Sequence, residues 1–244
     1  MSEPATVSES KKWRQLSTIE RRVLGVLVEK AKTTPDNYPL SLNSLVSGCN
    51  QKSNRDPQMS LEPHQVENAL ETLRRDNAVA EIQGDGRVPK YRHFAYDWLG
   101  VEKDELAVIT ELLLRGAQTV GELRGRAARM GDIPDVAALK PIIEALMQKD
   151  LVIALSPEGR GQVVTHNLYP AEQLDKVKQQ FASSSAQSDA SHPAPTARPA
   201  TAAAATTNSN GTNVDALRSE VEALKSEVAS LRREIEDIWA NLRT

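Results

Sequence analysis

The sequence predicts a mainly α-helical protein with small β-hairpins, an α+β class, in which two similar domains are followed by a disordered linker and a C-terminal coiled-coil helix. Three features of the 244 residues support this prediction: helical periodicity interrupted by short strand patterns, an internal repeat, and a heptad pattern near the C-terminus. Aromatic residues make up only 4% of the chain, so Leu, Val, Ile and Ala must supply most of the core. This composition favours helices over a β-sandwich.

The first domain is predicted to begin after a polar stretch, residues 1–15, which lacks an apolar pattern and is expected to be disordered. Ser17 and Glu20 have the spacing of a capping box, in which each side chain accepts a hydrogen bond from the backbone of the other residue. A first helix should therefore run from residue 18 to about residue 30. A second, shorter helix is expected over residues 41–49.

A third helix and a β-hairpin complete this domain. Pro63 stands at the favoured first position of a helix, and one face of that helix is apolar: Val66, Ala69, Leu70 and Leu73. Residues 79–82 and 87–94 have strand patterns on either side of a turn at residues 84–86. Three helices followed by a hairpin is the element order of a winged-helix domain, which we assign to residues 16–100.

The same order recurs in the second half of the chain. Superposing Glu71 on Glu144 also superposes apolar positions of the third helix and the first strand: Leu70 on Ile143, Val66 on Leu139 and Val79 on Val152. Thr119 and Glu122 form a second capping-box pattern, and a glycine-containing turn separates two further strand patterns. Residues 101–182 are therefore predicted to form a second winged-helix domain.

Pro141 lies inside the third-helix pattern of the second repeat. An interior Pro removes a backbone hydrogen bond and costs roughly 3 kcal/mol in a helix. The helix is therefore predicted to kink at Pro141 or to begin its regular geometry near it.

The C-terminal part is predicted to be a linker followed by a coiled coil. Residues 183–213 are rich in Ala, Ser, Thr, Pro and Asn, which is typical of a disordered linker. Residues 214–243 carry a heptad seam: Val214, Leu217, Val221, Leu224, Val228, Leu231, Ile235, Ile238 and Leu242. Val or Ile at most first core positions and Leu at most second ones favour a parallel dimer, with a trimer or a helix folded back on its own chain as alternatives.

Composition limits the location and the chemistry of the protein. The single cysteine, Cys49, permits no intrachain disulfide and no cysteine-based metal site, and it fits a reducing cytoplasm. A signal-peptide pattern and an apolar run of about 20 residues are both missing, so we expect a soluble chain with no membrane association. The formal net charge of −3 gives no general attraction to nucleic acid.

A polar insert, residues 49–57, separates the second and third helices of the first repeat and has no counterpart in the second repeat. Its side chains are candidate contact residues: Asn50, Gln51, Lys52, Asn54 and Arg55. The first hairpin adds three bases: Arg87, Lys90 and Arg92. Because such bases hold phosphates and amide side chains reach base edges, the leading hypothesis is a dimeric, regulatory protein that binds double-stranded DNA.

Acidic residues oppose this hypothesis. The outward residues of the predicted third helix include four acids that would repel phosphate: Glu62, Glu67, Glu71 and Asp76. Residues 17–100 contain eleven basic and eleven acidic residues. The alternative is a scaffold whose winged helices bind a protein partner. Catalytic, metal and cofactor sites are not expected, because the four histidines lack metal-ligand spacing and no Gly-rich phosphate loop follows a strand. The lone Cys49 is expected to pack in the core.

Several long runs carry a family resemblance. They are Thr33-Thr34-Pro35, Tyr38-Pro39-Leu40-Ser41, Cys49-Asn50-Gln51-Lys52 with Asn54-Arg55 and Pro57, Leu112-Leu113-Leu114-Arg115-Gly116-Ala117-Gln118-Thr119, Gly121-Glu122-Leu123-Arg124, and Arg126-Ala127-Ala128-Arg129-Met130. In these runs the chain resembles the bacterial YceH family over nearly its whole length. The resemblance implies tandem winged helices with a C-terminal coil, and it implies no activity, because this family is biochemically uncharacterised.

Overall fold

The structure, a computed structural model, describes residues 12–83 and 88–188. The start of the predicted N-terminal disorder, the hairpin base Arg87, nearly all of the predicted linker and the whole heptad seam lie outside these residues. The described residues belong to one compact unit within residues 1–192. This unit is rich in helices and contains two small antiparallel sheets.

The first repeat begins with a capped helix, as predicted. Its elements are α1 (Thr18–Thr33), β1 (Leu40–Ser41), α2 (Leu42–Cys49), α3 (Pro63–Arg75), β2 (Val79–Ile82), β3 (Lys90–His93) and the short α4 (Ala95–Leu99). The Ser17 Oγ accepts from the Glu20 backbone N–H at 3.3 Å, and the Ser17 N–H donates to the Glu20 carboxylate at 2.6 Å. This confirms the predicted capping box.

The second repeat has the same order. Its elements are α5 (Lys103–Arg115), β4 (Gln118–Thr119), α6 (Val120–Ala127), α7 (Val136–Gln148), β5 (Val152–Ala154), β6 (Val163–His166) and α8 (Ala171–Ser188). The predicted capping box between Thr119 and Glu122 is present. The helix α8 continues past residue 183, where the sequence predicted the linker to begin, because Ala, Ser and Gln do not by themselves end a helix.

Each repeat holds one three-stranded antiparallel sheet. The strand orders are β1-β3-β2 and β4-β6-β5, so the first strand of each repeat pairs with the return strand of its hairpin. Val79 pairs with His93 in the first sheet, and Val152 pairs with His166 in the second. The registers of the two hairpins are therefore equivalent. The two-residue strands β1 and β4 were not predicted, because a run that short carries no period.

The two repeats share one apolar core. Buried residues of α1 and of α5 belong to the same cluster, among them Val23, Leu27, Leu106 and Ile109. The helices approach closely at Gly25, where an added Cβ would lie 2.9 Å from Leu114 Cδ2. The predicted boundary near residue 100 therefore separates two repeats of elements that are packed against each other.

Pro141 does not interrupt its helix. The helix α7 runs from Val136 to Gln148 with Pro141 inside it, so the prediction that regular geometry would begin near Pro141 is wrong. The alternative, a kink at Pro141, stays a prediction. Pro141 and Ala137, whose carbonyl lacks the usual helical donor, are both exposed. Water can satisfy that carbonyl, and the helix therefore tolerates the Pro.

Among the helices in the described part of the chain, none is both long and apolar enough to cross a membrane.

Candidate partner-binding surface

The polar insert folds back onto the body of the protein. Thirteen residues separate α2 from α3, whereas eight separate α6 from α7, so the first repeat has five additional residues here. Asn50 bridges this segment, because its Nδ2 donates to the Leu61 carbonyl at 2.8 Å and its Oδ1 accepts from the Leu61 N–H at 2.7 Å. The amide of Asn50 therefore closes the insert.

Arg55 lies inside the protein, with 6% of its surface exposed. Its guanidinium pairs with the Glu29 carboxylate of α1 and also donates to the Gly48 carbonyl at 3.1 Å, the Asn54 carbonyl at 2.7 Å and the Gln51 Oε1 at 3.0 Å. These bonds use all five N–H groups of the side chain. The Arg55 guanidinium and the Gln51 Oε1, both predicted to contact a ligand, are thus engaged inside the protein.

The insert also bonds to the second repeat. The Asp56 N–H donates to the Leu114 carbonyl at 3.0 Å, and Arg115 donates to the Asn54 Oδ1. Both acceptor and donor lie at the C-terminal end of α5. The insert therefore occupies the junction of the repeats, and its predicted contact residue Asn54 is engaged there.

A cluster of ion pairs also connects the two repeats at this junction. The Glu111 carboxylate is fully buried on α5, with Arg115 Nε at 3.0 Å and Arg129 Nη2 at 3.0 Å. Arg129 also lies 3.3 Å from the buried Glu29. The Arg115 pair lacks hydrogen-bond alignment despite its short distance. Arg55, Glu29, Arg129, Glu111 and Arg115 thus form one chain of charges linking the insert, α1 and the second repeat.

Three predicted contact residues do face solvent. Lys52 is exposed, as are Lys90 and Arg92 on β3, and no ion pair of these three occurs among the described residues. The Arg92 guanidinium lies over the Phe94 ring at 4.9 Å from its centroid. Lys52, Lys90 and Arg92 are therefore the unpaired cations among those predicted contact residues that the structure describes.

The outward face of α3 is acidic. Glu62, Glu67 and Glu71 are exposed there. The two arginines near the end of the helix are already paired, Arg75 with Glu71 at 2.5 Å and Arg74 with Glu81 of β2 at 2.7 Å. The face that would enter a DNA groove therefore offers no unpaired cation among the described side chains.

The outward face of α7 is partly apolar. Val136 is 40% exposed, and Ala137 and Pro141 are exposed beside it. The single base on this face, Lys140, lies 3.6 Å from Glu158. Glu144, three residues beyond Pro141, is exposed as well. The helix in the second repeat that corresponds to α3 thus presents three neighbouring uncharged residues, which we call the α7 patch: Val136, Ala137 and Pro141.

Sequence reasoning missed a repeated histidine. His93 and His166 are related by the same offset as Glu71 and Glu144. Each Nδ1 accepts a backbone hydrogen bond at 3.2 Å, from Ala95 N–H in one repeat and from Leu168 N–H in the other. Burial lowers the pKa of His93 to about 4 and that of His166 well below its ordinary value. Extending the repeat alignment from the first strand of each hairpin to the return strand would have found the pair.

Cys49 packs in the core, as predicted. Burial raises the pKa of its thiol to about 12, against the smaller influence of the neighbouring Arg22 and Arg55. No three His, Cys, Asp or Glu residues come together as metal ligands within residues 12–83 and 88–188.

Comparisons with known proteins point to one family. Residues 16–161 match the family described as "Protein of unknown function, DUF480". A UPF0502 protein of Rhodopirellula baltica is 56% identical over 192 residues, which cover 77% of this chain and 81% of that protein. A UPF0502 protein of Geotalea daltonii is 52% identical over 135 residues, covering 55% and 62%. One of Koribacter versatilis is 45% identical over 155 residues, covering 62% and 72%.

Proposed function

The chain belongs to the DUF480 family of proteins of unknown function, and from its fold and surface we propose that it is a tandem winged-helix protein that binds a protein partner. The order of three helices and a hairpin, present twice, supports the winged-helix assignment. The observation that carries the choice of partner is the composition of the outward faces of α3 and α7, the helices that correspond to recognition helices.

A helix that reads DNA must place free cations near phosphates, which carry one negative charge per about 1.7 Å of duplex axis. The helix α3 instead presents three carboxylates, and both of its arginines are ion-paired. The α7 patch is apolar and carries no unpaired base. Protein interfaces use apolar, weakly charged cores with polar rims, and the α7 patch fits that description better than it fits a groove. The acidic face of α3 argues against a DNA groove and fits the polar rim of such an interface.

Capture with nuclease treatment tests the proposal. The full chain should retain a specific protein from a lysate of a bacterium that carries this family after all nucleic acid is digested. Val136→Glu with Pro141→Glu should abolish the capture, because two charges would be desolvated at the centre of the contact. Lys176→Glu on the exposed face of α8 is the matched control and should retain it. If both double variant and control capture equally, the α7 patch is not the contact.

DNA binding is the second candidate, and the exposed Lys52, Lys90 and Arg92 support it. Fluorescence anisotropy with a duplex at about 50 and 200 mM salt separates the candidates, because phosphate contacts give a steep salt dependence. Each of Lys52→Ala, Lys90→Ala and Arg92→Ala should then reduce the log–log slope by about one. An unchanged anisotropy at low salt would eliminate DNA and leave the protein partner.

We further propose that the heptad seam from Val214 to Leu242 joins two chains in parallel, which would present four winged helices together. Light scattering should give twice the chain mass for the full protein and a single mass for a fragment that ends at residue 188. The single buried Cys49 fits a cytoplasmic location, which we keep as part of this proposal.

A further inference from the structure

A cavity of about 260 Å³ lies where the two repeats and the insert meet. Its walls come from the first turns of α1, the insert, the C-terminal end of α5, β6 and α8. The charged and aromatic side chains that line it are Arg21, Arg22, Asp56, Arg115, His166 and Tyr169. This volume is at the lower edge of small-molecule sites, so it suits a small ion or metabolite and is too small for a dinucleotide.

Two adjacent arginines in this wall are buried without an acid. Arg22 is 1% exposed, and its two hydrogen bonds go to carbonyls, Cys49 at 2.9 Å and Pro57 at 2.6 Å. Arg21 is 5% exposed and donates to the Leu16 carbonyl, the Thr18 Oγ1 and the Gln173 Oε1. Among the described residues, no carboxylate lies within ion-pair distance of either guanidinium. Buried charges are normally paired, because losing water without a counter-charge is costly.

Guanidinium nitrogens without a hydrogen-bond partner also remain in the wall. The Arg22 Nε is buried and has no hydrogen-bond partner. The Arg21 guanidinium lies over the Tyr169 ring at 4.5 Å, which holds its plane in place. Burial lowers the pKa of both arginines, but a guanidinium stays charged in a protein. The wall therefore contains fixed positive charge, while the unpaired Arg22 Nε itself is covered by protein atoms.

The remaining lining groups do not neutralise this charge. Arg115 adds a third guanidinium, whose acid partner Glu111 is shared with Arg129. His166 is kept neutral by burial. Asp56 is the single carboxylate in the lining, and it is exposed. Three guanidinium groups thus face one carboxylate around an open space.

We propose that this cavity binds a small anion, a phosphate or an organic carboxylate, with Arg21 and Arg22 as its charged anchors and Arg115 as a third contact. Guanidinium groups match both anions in geometry. The site is independent of the partner-binding surface proposed above, because it uses none of the outward residues of α3 or α7. The Arg22 bonds to Cys49 and Pro57 connect the anchors to both ends of the insert, so a bound anion would also brace the insert.

Calorimetry and thermal unfolding with inorganic phosphate and with succinate test the site at constant ionic strength, with sodium chloride as the reference. We expect at least one of the two probes to bind saturably and to raise Tm above the chloride reference, since a ligand that binds only the folded state stabilises it. If neither probe does so, the proposal is overturned.

Variants assign the binding to the cavity. Arg115→Gln should weaken the affinity about tenfold or more, because it removes a charge-assisted contact. Asp56→Asn should strengthen it, because it removes the opposing carboxylate; this exposed change should leave the fold intact. Arg75→Gln is the control and should not alter the affinity, because Arg75 is exposed on α3, pairs with Glu71 and does not line the cavity. Equal affinities for all three variants would place any binding elsewhere and overturn the assignment.

Discussion

At the residue scale, the Arg55 side chain fastens the insert to α1, because each of its five N–H groups has an acceptor and its main partner, Glu29, is also buried. A cluster of amides and bases in a connector is equally compatible with a ligand site and with an internal clasp. The sequence could not distinguish them, since the carboxylate that pairs with Arg55 belongs to Glu29 of α1, 26 residues away along the chain. Of the five predicted insert residues, Lys52 is the one whose side chain makes no hydrogen bond or ion pair with the described part of the chain.

Arg55→Ala should lower the free energy of unfolding by about 3–5 kcal/mol, because it leaves Glu29 with a single partner, Arg129, in a buried site. Arg75→Ala, which breaks the exposed pair with Glu71, should cost less than about 0.5 kcal/mol. Urea denaturation of both variants gives the comparison. Equal costs would mean that the buried cluster contributes nothing beyond an exposed pair.

His93 makes stability depend on pH. Its pKa is lowered to about 4 by burial, whereas an unfolded His titrates near 6.5, so the unfolded state binds the additional proton between these values. Stability should therefore fall as pH decreases from about 6.5 towards 4, and on the order of 2 kcal/mol should be lost between pH 7 and pH 5 through this group. His93→Gln should remove this part of the acid sensitivity in denaturation curves. An unchanged pH dependence in His93→Gln would show that His93 does not contribute it.

At the element scale, signals that are local in sequence were reliable. The two capping boxes, the bounds of α2 and the strands β2 and β5 agree with the sequence pattern, because each depends on residues within a few positions of one another. The short strands β1 and β4 and the short helix α4 carry too few residues for a period. The last residues of α8, from residue 183 onward, have the composition of the predicted linker, and composition alone does not show where a helix ends.

Pro141→Ala should stabilise the protein. The helix α7 is already continuous at this position, so the substitution restores the hydrogen bond to the Ala137 carbonyl and relieves the ring clash without moving the helix. The added freedom of the unfolded chain offsets part of this gain, and we expect a net increase of about 1–2 kcal/mol in the free energy of unfolding. A decrease in stability for Pro141→Ala would mean that the ring itself contributes to packing.

At the scale of the whole molecule, the repeats are joined by three contacts: the α1 and α5 packing, the insert bonds to α5, and the ion cluster. The sequence predicted the repeats but not their fusion, because an apolar face in a helix pattern does not identify its partner. Gly25 was the available signal, since a glycine in the middle of a well-capped helix often marks a close approach. The two repeats therefore share a single core, and we expect them to unfold together.

Gly25→Val therefore tests the fusion. Its Cβ would meet Leu114 Cδ2 at 2.9 Å and Leu114 Cγ at 3.1 Å, so α1 and α5 must separate or repack, at a cost of about 1–3 kcal/mol. Gly125→Ala on α6 has nothing within 4 Å of the added Cβ and should instead stabilise by about 0.5–1 kcal/mol, as helix propensity predicts. Because the core is shared, hydrogen exchange should report weaker protection in both repeats of Gly25→Val, in α3 as well as in α7. Loss confined to the first repeat would contradict a common core and would mean that the two repeats unfold as separate units.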